Sequence, residues 1–125
     1  MQFFYVGLGG FLGAITRYAL GQALSARSRG NFPTGTLIIN LTGAFLLGLL
    51  SGTPAFAHRF GTSLTLMLTT GFLGAYTTFS TYSYETIQLL EDRKVISALI
   101  YLLSSIALGL SFVLAGRALA AKFMP

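Results

Sequence analysis

The residues of this 125-residue chain with the most chemical potential are hydroxyls, one amide and one arginine set among apolar side chains. The densest group is Gly71–Ser83, GFLGAYTTFSTYS; between Thr69 and Thr86 the chain carries eight Ser or Thr hydroxyls. Gly74 and the consecutive Thr77 and Thr78 weaken helix propensity inside an apolar run. In hydrocarbon, irregular backbone is tolerated only where it is buried in protein or lines a wet path. The stretch therefore reads as a helix broken at a site. Asn40 lies in a second apolar run, with Thr36 one turn before it and Gly43 one turn after, all on one face. An amide in that setting must face protein or water; an interhelical hydrogen bond with a packing role is one reading, a functional role the other. Arg17 interrupts the first apolar run. A charge there marks a functional candidate, and an arginine near a helix end also snorkels to the headgroups; both readings stand. Phe79 and Tyr82 are three apart, a spacing that ordinary aromatic packing also explains. Ser83 and Thr86 continue that side, and Glu85 lies toward the segment's exit. Tyr101, Ser105 and Gly109 form a stripe on the last apolar run.

Other chemistries are poorly supplied. There is no cysteine, one histidine and three acids. Disulfides and thiolate metal sites are excluded, and no nucleophile–base or metal constellation suggests an enzyme. His58 has Arg59 beside it and no acidic neighbour, and reads as exposed.

These residues must be positioned by membrane helices. The chain is 54% hydrophobic and 9% charged, with a mean hydropathy of +0.73, too apolar for an ordinary soluble domain. About 20 helical residues cross the ~30 Å hydrocarbon core. Four runs meet that length, at about 3–24, 34–52, 62–89 and 95–119, predicting a single all-α membrane domain over 1–125. The third helix is the broken one, near the bilayer centre. Gly9, Gly13, Arg17 and Gly21 recur every four residues and present one face on which helices approach closely. The connections 25–33, 53–61 and 91–94 read as loops. The net charge of +5 is scattered between apolar runs, as in flanks of membrane helices rather than a nucleic-acid surface. The start, MQFFYVGLGG, lacks a basic segment and is not read as a cleaved signal peptide.

Four crossings place both termini on one side. The basic residues outside the spans are Arg59, Arg117 and Lys122 on that side, against Arg27, Arg29, Arg93 and Lys94 on the other, three against four. Orientation follows such bias. A chain almost without it inserts both ways, and two copies would then form an antiparallel, dual-topology dimer.

Three blocks, GGFLGAITRY at 9–18, GTLIINLTGAFLLG at 35–48 and GFLGAYTTFSTYS at 71–83, resemble the Fluc/CrcB family of bacterial fluoride channels. The resemblance extends over all four predicted helices. It implies passive fluoride export through a multi-pass protein of the bacterial cell (plasma) membrane, working as an antiparallel homodimer in the lipid bilayer. Carried over position by position, Asn40 matches the pore asparagine and Phe79 the first aromatic of the family's pair; the second, usually Phe, is Tyr82 here. Arg17 and Thr36 match vestibule positions, and Glu85 the acid that follows the aromatic pair. Tyr101 and Ser105 match a hydroxyl track whose next member, usually Ser, is Gly109. Gly74 and Thr77 match positions whose backbone carbonyls, one pair per subunit, bind a structural sodium ion. Fluoride holds its water tightly, so a pathway must replace that water with donors such as the Asn40 amide and the Ser105 and Tyr101 hydroxyls. Aromatic ring edges such as that of Phe79 are weakly positive and suit an anion. The Tyr82 hydroxyl has three possible partners: Asn40 of either subunit, a hydroxyl of the last helix, or the anion. Two other readings are a coupled dual-topology transporter and one subunit of a heterodimeric channel. The first would need a titratable carboxylate deep in the membrane.

Overall fold

The computed structural model describes residues 1–27, 30 and 32–123. Arg29, counted above among the basic residues, lies outside the described residues. Three helices among them are long and apolar enough to cross a membrane: α1 (Gln2–Arg27), α2 (Thr34–Ser51) and, near the end of the chain, Val95–Phe123. The fold is all-helical, as the composition requires, and the protein is a membrane protein.

The ends of these helices differ from the sequence reading. α1 runs on to Arg27, into the predicted loop 25–33, because Ala26 and Arg27 are good helix formers and nothing before Arg27 stops the helix. Pro33 marks the entry to α2. The predicted loop 53–61 contains a short helix, α3 (Ala55–Phe60), which starts after Pro54, buries Phe56 and ends at Gly61. Gly61 has φ 81°, a conformation that glycine accepts without strain. His58 is exposed on α3, as expected.

The segment from Thr62 changes helix type and is then interrupted. It begins as α4 (Thr62–Leu66), widens to a π-helical stretch at Met67–Leu73, and resumes as α5 (Gly74–Tyr76). Thr77 (φ −81°, ψ 157°) and Thr78 (φ −149°, ψ 121°) are extended. α6 (Phe79–Glu91) follows, and α7 (Val95–Phe123) completes the chain. α7 exceeds the predicted 95–119 because Arg117 and Lys122 are helix formers, and a cation suits a helix C-terminus.

Small residues set the packing. A Cβ at Gly9 would overlap the Met67 carbonyl oxygen, and one at Gly13 the Phe72 carbonyl oxygen. The face predicted from the four-residue spacing is thus buried against the π-helical stretch, and the matched positions rise together, so α1 and this stretch run parallel. In the same way Gly48 meets Val113 and Gly116 meets Phe45, while Gly52 meets Arg117, making α2 and α7 parallel. Gly21 faces Ile39 and Gly35 faces Leu24, an antiparallel pairing of α1 with α2. The buried core is small: Tyr82, Leu89, Ala98 and Tyr101 form one cluster, Ile39, Leu73 and Tyr76 another. Long apolar side chains such as Phe3, Leu103 and Ile96 point outward, which a bilayer accommodates and water does not.

Candidate functional site

The interruption at Thr77–Thr78 frees backbone groups that the helix would have paired, and each must find a partner. Asn40 supplies two. Its Nδ2 donates to the Thr78 carbonyl at 3.0 Å, and its Oδ1 accepts from the Thr78 N–H at 2.8 Å. Arg17 supplies a third, its Nε donating to the Ala75 carbonyl at 2.9 Å. The Leu73 carbonyl accepts from both the N–H and the hydroxyl of Thr77, each at 3.0 Å. Thr78 also caps α6, its hydroxyl accepting from the Thr81 N–H at 3.2 Å. Gly43, one turn beyond Asn40, lets the break sit against α2: a Cβ there would overlap Thr77 Cγ2 and come within 3.2 Å of the Tyr76 ring.

The candidate residues divide between two cavities. The larger, about 430 Å³, is lined by Asn40, Gly74, Thr77, Thr78, Phe79, Tyr82 and Ser105, with Leu47, Ile106 and Val113 among its apolar walls. No charged side chain lines it. The smaller, about 210 Å³, is lined by Arg17, Thr36, Thr78, Thr81 and Glu85. Thr78 is common to both, so the residue held by Asn40 is part of the wall between them. Thr36 and Glu85 also border a further cavity of about 430 Å³ at the α6 exit, together with Glu91 and Asp92.

Glu85 is tied by both oxygens. The Thr36 hydroxyl donates to Oε1 at 2.8 Å, and the Tyr101 hydroxyl to Oε2 at 2.7 Å. The O–H of Tyr101 is thereby given to a carboxylate, and Tyr101 lines neither of these two cavities. Tyr101 is fully buried, and its ring lies 5.1 Å from that of Tyr82 in an edge arrangement. Arg17, expected at a vestibule, is half-buried and caps a carbonyl next to the break. Asn40 keeps one N–H beyond the one it gives to Thr78. Gly109 leaves open space where a side chain would be.

Three buried hydroxyls lack a partner among the described residues, those of Thr53, Tyr82 and Ser105, and the last two line the larger cavity. A buried hydroxyl left unpaired costs about 1–3 kcal/mol. Tyr76, by contrast, pairs with the Thr42 hydroxyl at 2.9 Å. Phe79 borders the same cavity but is 79% exposed, its ring turned outward from this chain. Sequence reasoning passed over Thr78 as a site residue. The signal was present: it is an N-cap type of residue directly before a helix and directly after a break.

The family model described as CrcB-like protein, Camphor Resistance (CrcB), matches residues 4–117. The protein of Clostridium acetobutylicum named fluoride-specific ion channel FluC 2 is similar to this chain, 50% identical over 110 residues that cover 88% of this chain and 90% of its own. Its namesake in Moorella thermoacetica is also 50% identical over 110 residues, 88% of each chain. The fluoride-specific ion channel FluC of Prosthecochloris aestuarii is 43% identical over 115 residues, 92% of this chain and 89% of its own. The family match includes every residue that lines these two cavities, and on these grounds the chain belongs to the CrcB family.

Proposed function

We propose that this protein is a fluoride-selective channel that lets fluoride leave the cell passively across the plasma membrane. The observation that carries the reading is the larger cavity, uncharged and bordered by Asn40 together with two buried hydroxyls that lack partners. Such a lining offers donors and no negatively charged acceptor, which suits a small anion that gives up its water on entry. Membership of the CrcB family and the names of the relatives agree with it. Fluoride enters through the larger cavity, with the Phe79 ring edge as a further contact. The interrupted path from Thr62 to Glu91 makes the fourth crossing, broken near the bilayer centre. Lipid covers the outward apolar side chains.

The working unit is an antiparallel, dual-topology homodimer. The exposed Phe79 ring supports this, because a single chain leaves the pathway open on that side. Phe79→Ile is expected to remove most fluoride release from liposomes that contain the purified protein. Near-normal release would mean that ring edges do not carry the anion. Applying a proton gradient to the same liposomes distinguishes a coupled transporter, which would accumulate fluoride against its gradient, from a channel, which would not.

The break also fits a structural sodium ion. Ala75 and Thr78 have their carbonyls capped by side chains; the Gly74 and Thr77 carbonyls have no such cap. Gly74 is exposed, with nothing within 4 Å of where a Cβ would stand. Among the described residues no group of acidic, His or Cys side chains offers an alternative cation site. Carbonyl oxygens suit a hard cation, and two per chain require a second copy to complete a set. The ion would hold the two breaks together. Exhaustive removal of sodium is expected to lower both fluoride flux and the thermal stability of the dimer; no change in either would contradict the site.

A further inference from the structure

We infer that the Tyr82 hydroxyl and Ser105 Oγ together form a dehydrated anion-binding step, so that Tyr82 binds fluoride through its O–H and not only through its ring. The inference rests on the channel reading and adds to it the residues that set affinity. Tyr82 is 8% exposed, its hydroxyl and that of Ser105 are both buried and unpartnered, and both residues border the larger cavity. Buried polar groups in folded proteins are paired as a rule, so two orphans on one cavity call for a ligand. Among the described residues no partner reaches either hydroxyl, the remaining N–H of Asn40 included. Asn40 holds Thr78 by its carbonyl and one N–H, and the Tyr101 hydroxyl is held by Glu85. The wall hydroxyls of Thr69, Thr77 and Thr78 donate to the Thr65 carbonyl, the Leu73 carbonyl and the Thr81 hydroxyl, and the side chains of Leu47, Leu73, Ile106 and Val113 offer no hydrogen bond. A hydroxyl has one hydrogen to donate, and two such donors in an apolar cavity favour an ion that accepts strongly at short range. Fluoride meets that description better than chloride, which is larger and accepts more weakly. The Tyr82 hydroxyl thus replaces water where a phenylalanine would offer only a ring edge.

The test is calorimetric titration of fluoride into the purified protein, run for the parent chain, Tyr82→Phe, Ser105→Ala and the double variant. Tyr82→Phe removes one oxygen and preserves the ring, so the fold is kept. The expected result is an affinity about tenfold weaker, or more, for each single variant, the loss of one charge-assisted hydrogen bond. The double variant is expected to lose less than the product of the two, because both donors serve one ion. Liposome flux of Tyr82→Phe should saturate at correspondingly higher fluoride. Equal fluoride affinity in the parent and Tyr82→Phe would overturn the inference and place the hydroxyl against protein, the partner's Asn40 included. Failure of the channel reading would look different: no fluoride flux from the parent protein, whatever the titration gives.

Discussion

Asn40→Ala is expected to abolish fluoride flux and to destabilise the protein. The side chain makes two hydrogen bonds to one residue, accepting from the Thr78 N–H and donating to its carbonyl. Removing it leaves both backbone groups without a partner in a setting poor in water. At about 1–3 kcal/mol for each unpaired group, the loss is roughly 2 kcal/mol or more. The consequence for function is local. Thr78 starts α6 and lies in the wall of both cavities, so its displacement moves Phe79 and Tyr82 together. Asn40→Asp separates the structural from the electrostatic contribution. A carboxylate oxygen still accepts from the Thr78 N–H, but it cannot donate to the carbonyl, and it puts a negative charge beside the cavity. Two like charges about 4 Å apart repel by about 4 kcal/mol at an effective dielectric constant of 20. The Asp variant is expected to fold, to be recovered as a dimer and to carry almost no fluoride. Parent-like flux in Asn40→Asp would mean that the anion does not pass this cavity.

The second large effect concerns orientation. On the proposed four-crossing topology the basic residues outside the spans are nearly balanced in sequence: Arg59, Arg117 and Lys122 against Arg27, Arg29, Arg93 and Lys94. Lys94 also pairs with Asp92 at 3.1 Å. Tags on the C-terminus are therefore expected to be accessible from both faces of the membrane in similar amounts. Several lysines added to the 53–61 connection, which holds the exposed His58 and Arg59, should drive all copies into one orientation. Such a population cannot form antiparallel pairs, and its flux should fall to near background. Co-expression with a variant carrying the added lysines in the 91–94 connection should restore it. Tags confined to one face of the parent protein would reject the self-paired dimer.

Much of the membrane architecture was legible because it rests on length and spacing. The apolar runs near 3–24, 34–52 and 95–119 correspond to α1, α2 and α7, and the Gly9–Gly13 face is buried as its spacing suggests. The irregular backbone also left a trace, in Gly74 and the two threonines. Other features left none. The π-helical turn at Met67–Leu73 changes hydrogen-bond register without a distinctive composition. α3 is six residues long, too short for a periodic pattern. The partners of Arg17 and Glu85 are set by tertiary structure. Arg17 reaches Ala75, 58 residues away, and Glu85 gathers hydroxyls from α2 and α7. No local pattern reveals that the Tyr101 hydroxyl is occupied while that of Tyr82 is not, since both are tyrosines in apolar surroundings.

The central claim is that this one chain makes a fluoride pathway by itself. The most direct measurement is ion release from liposomes reconstituted with only the purified protein, followed with fluoride- and chloride-selective electrodes. Rapid fluoride release without a proton gradient, and chloride release at the level of protein-free liposomes, is the expected result. Fluoride release no faster than from protein-free liposomes, with the protein shown to be inserted, would contradict it.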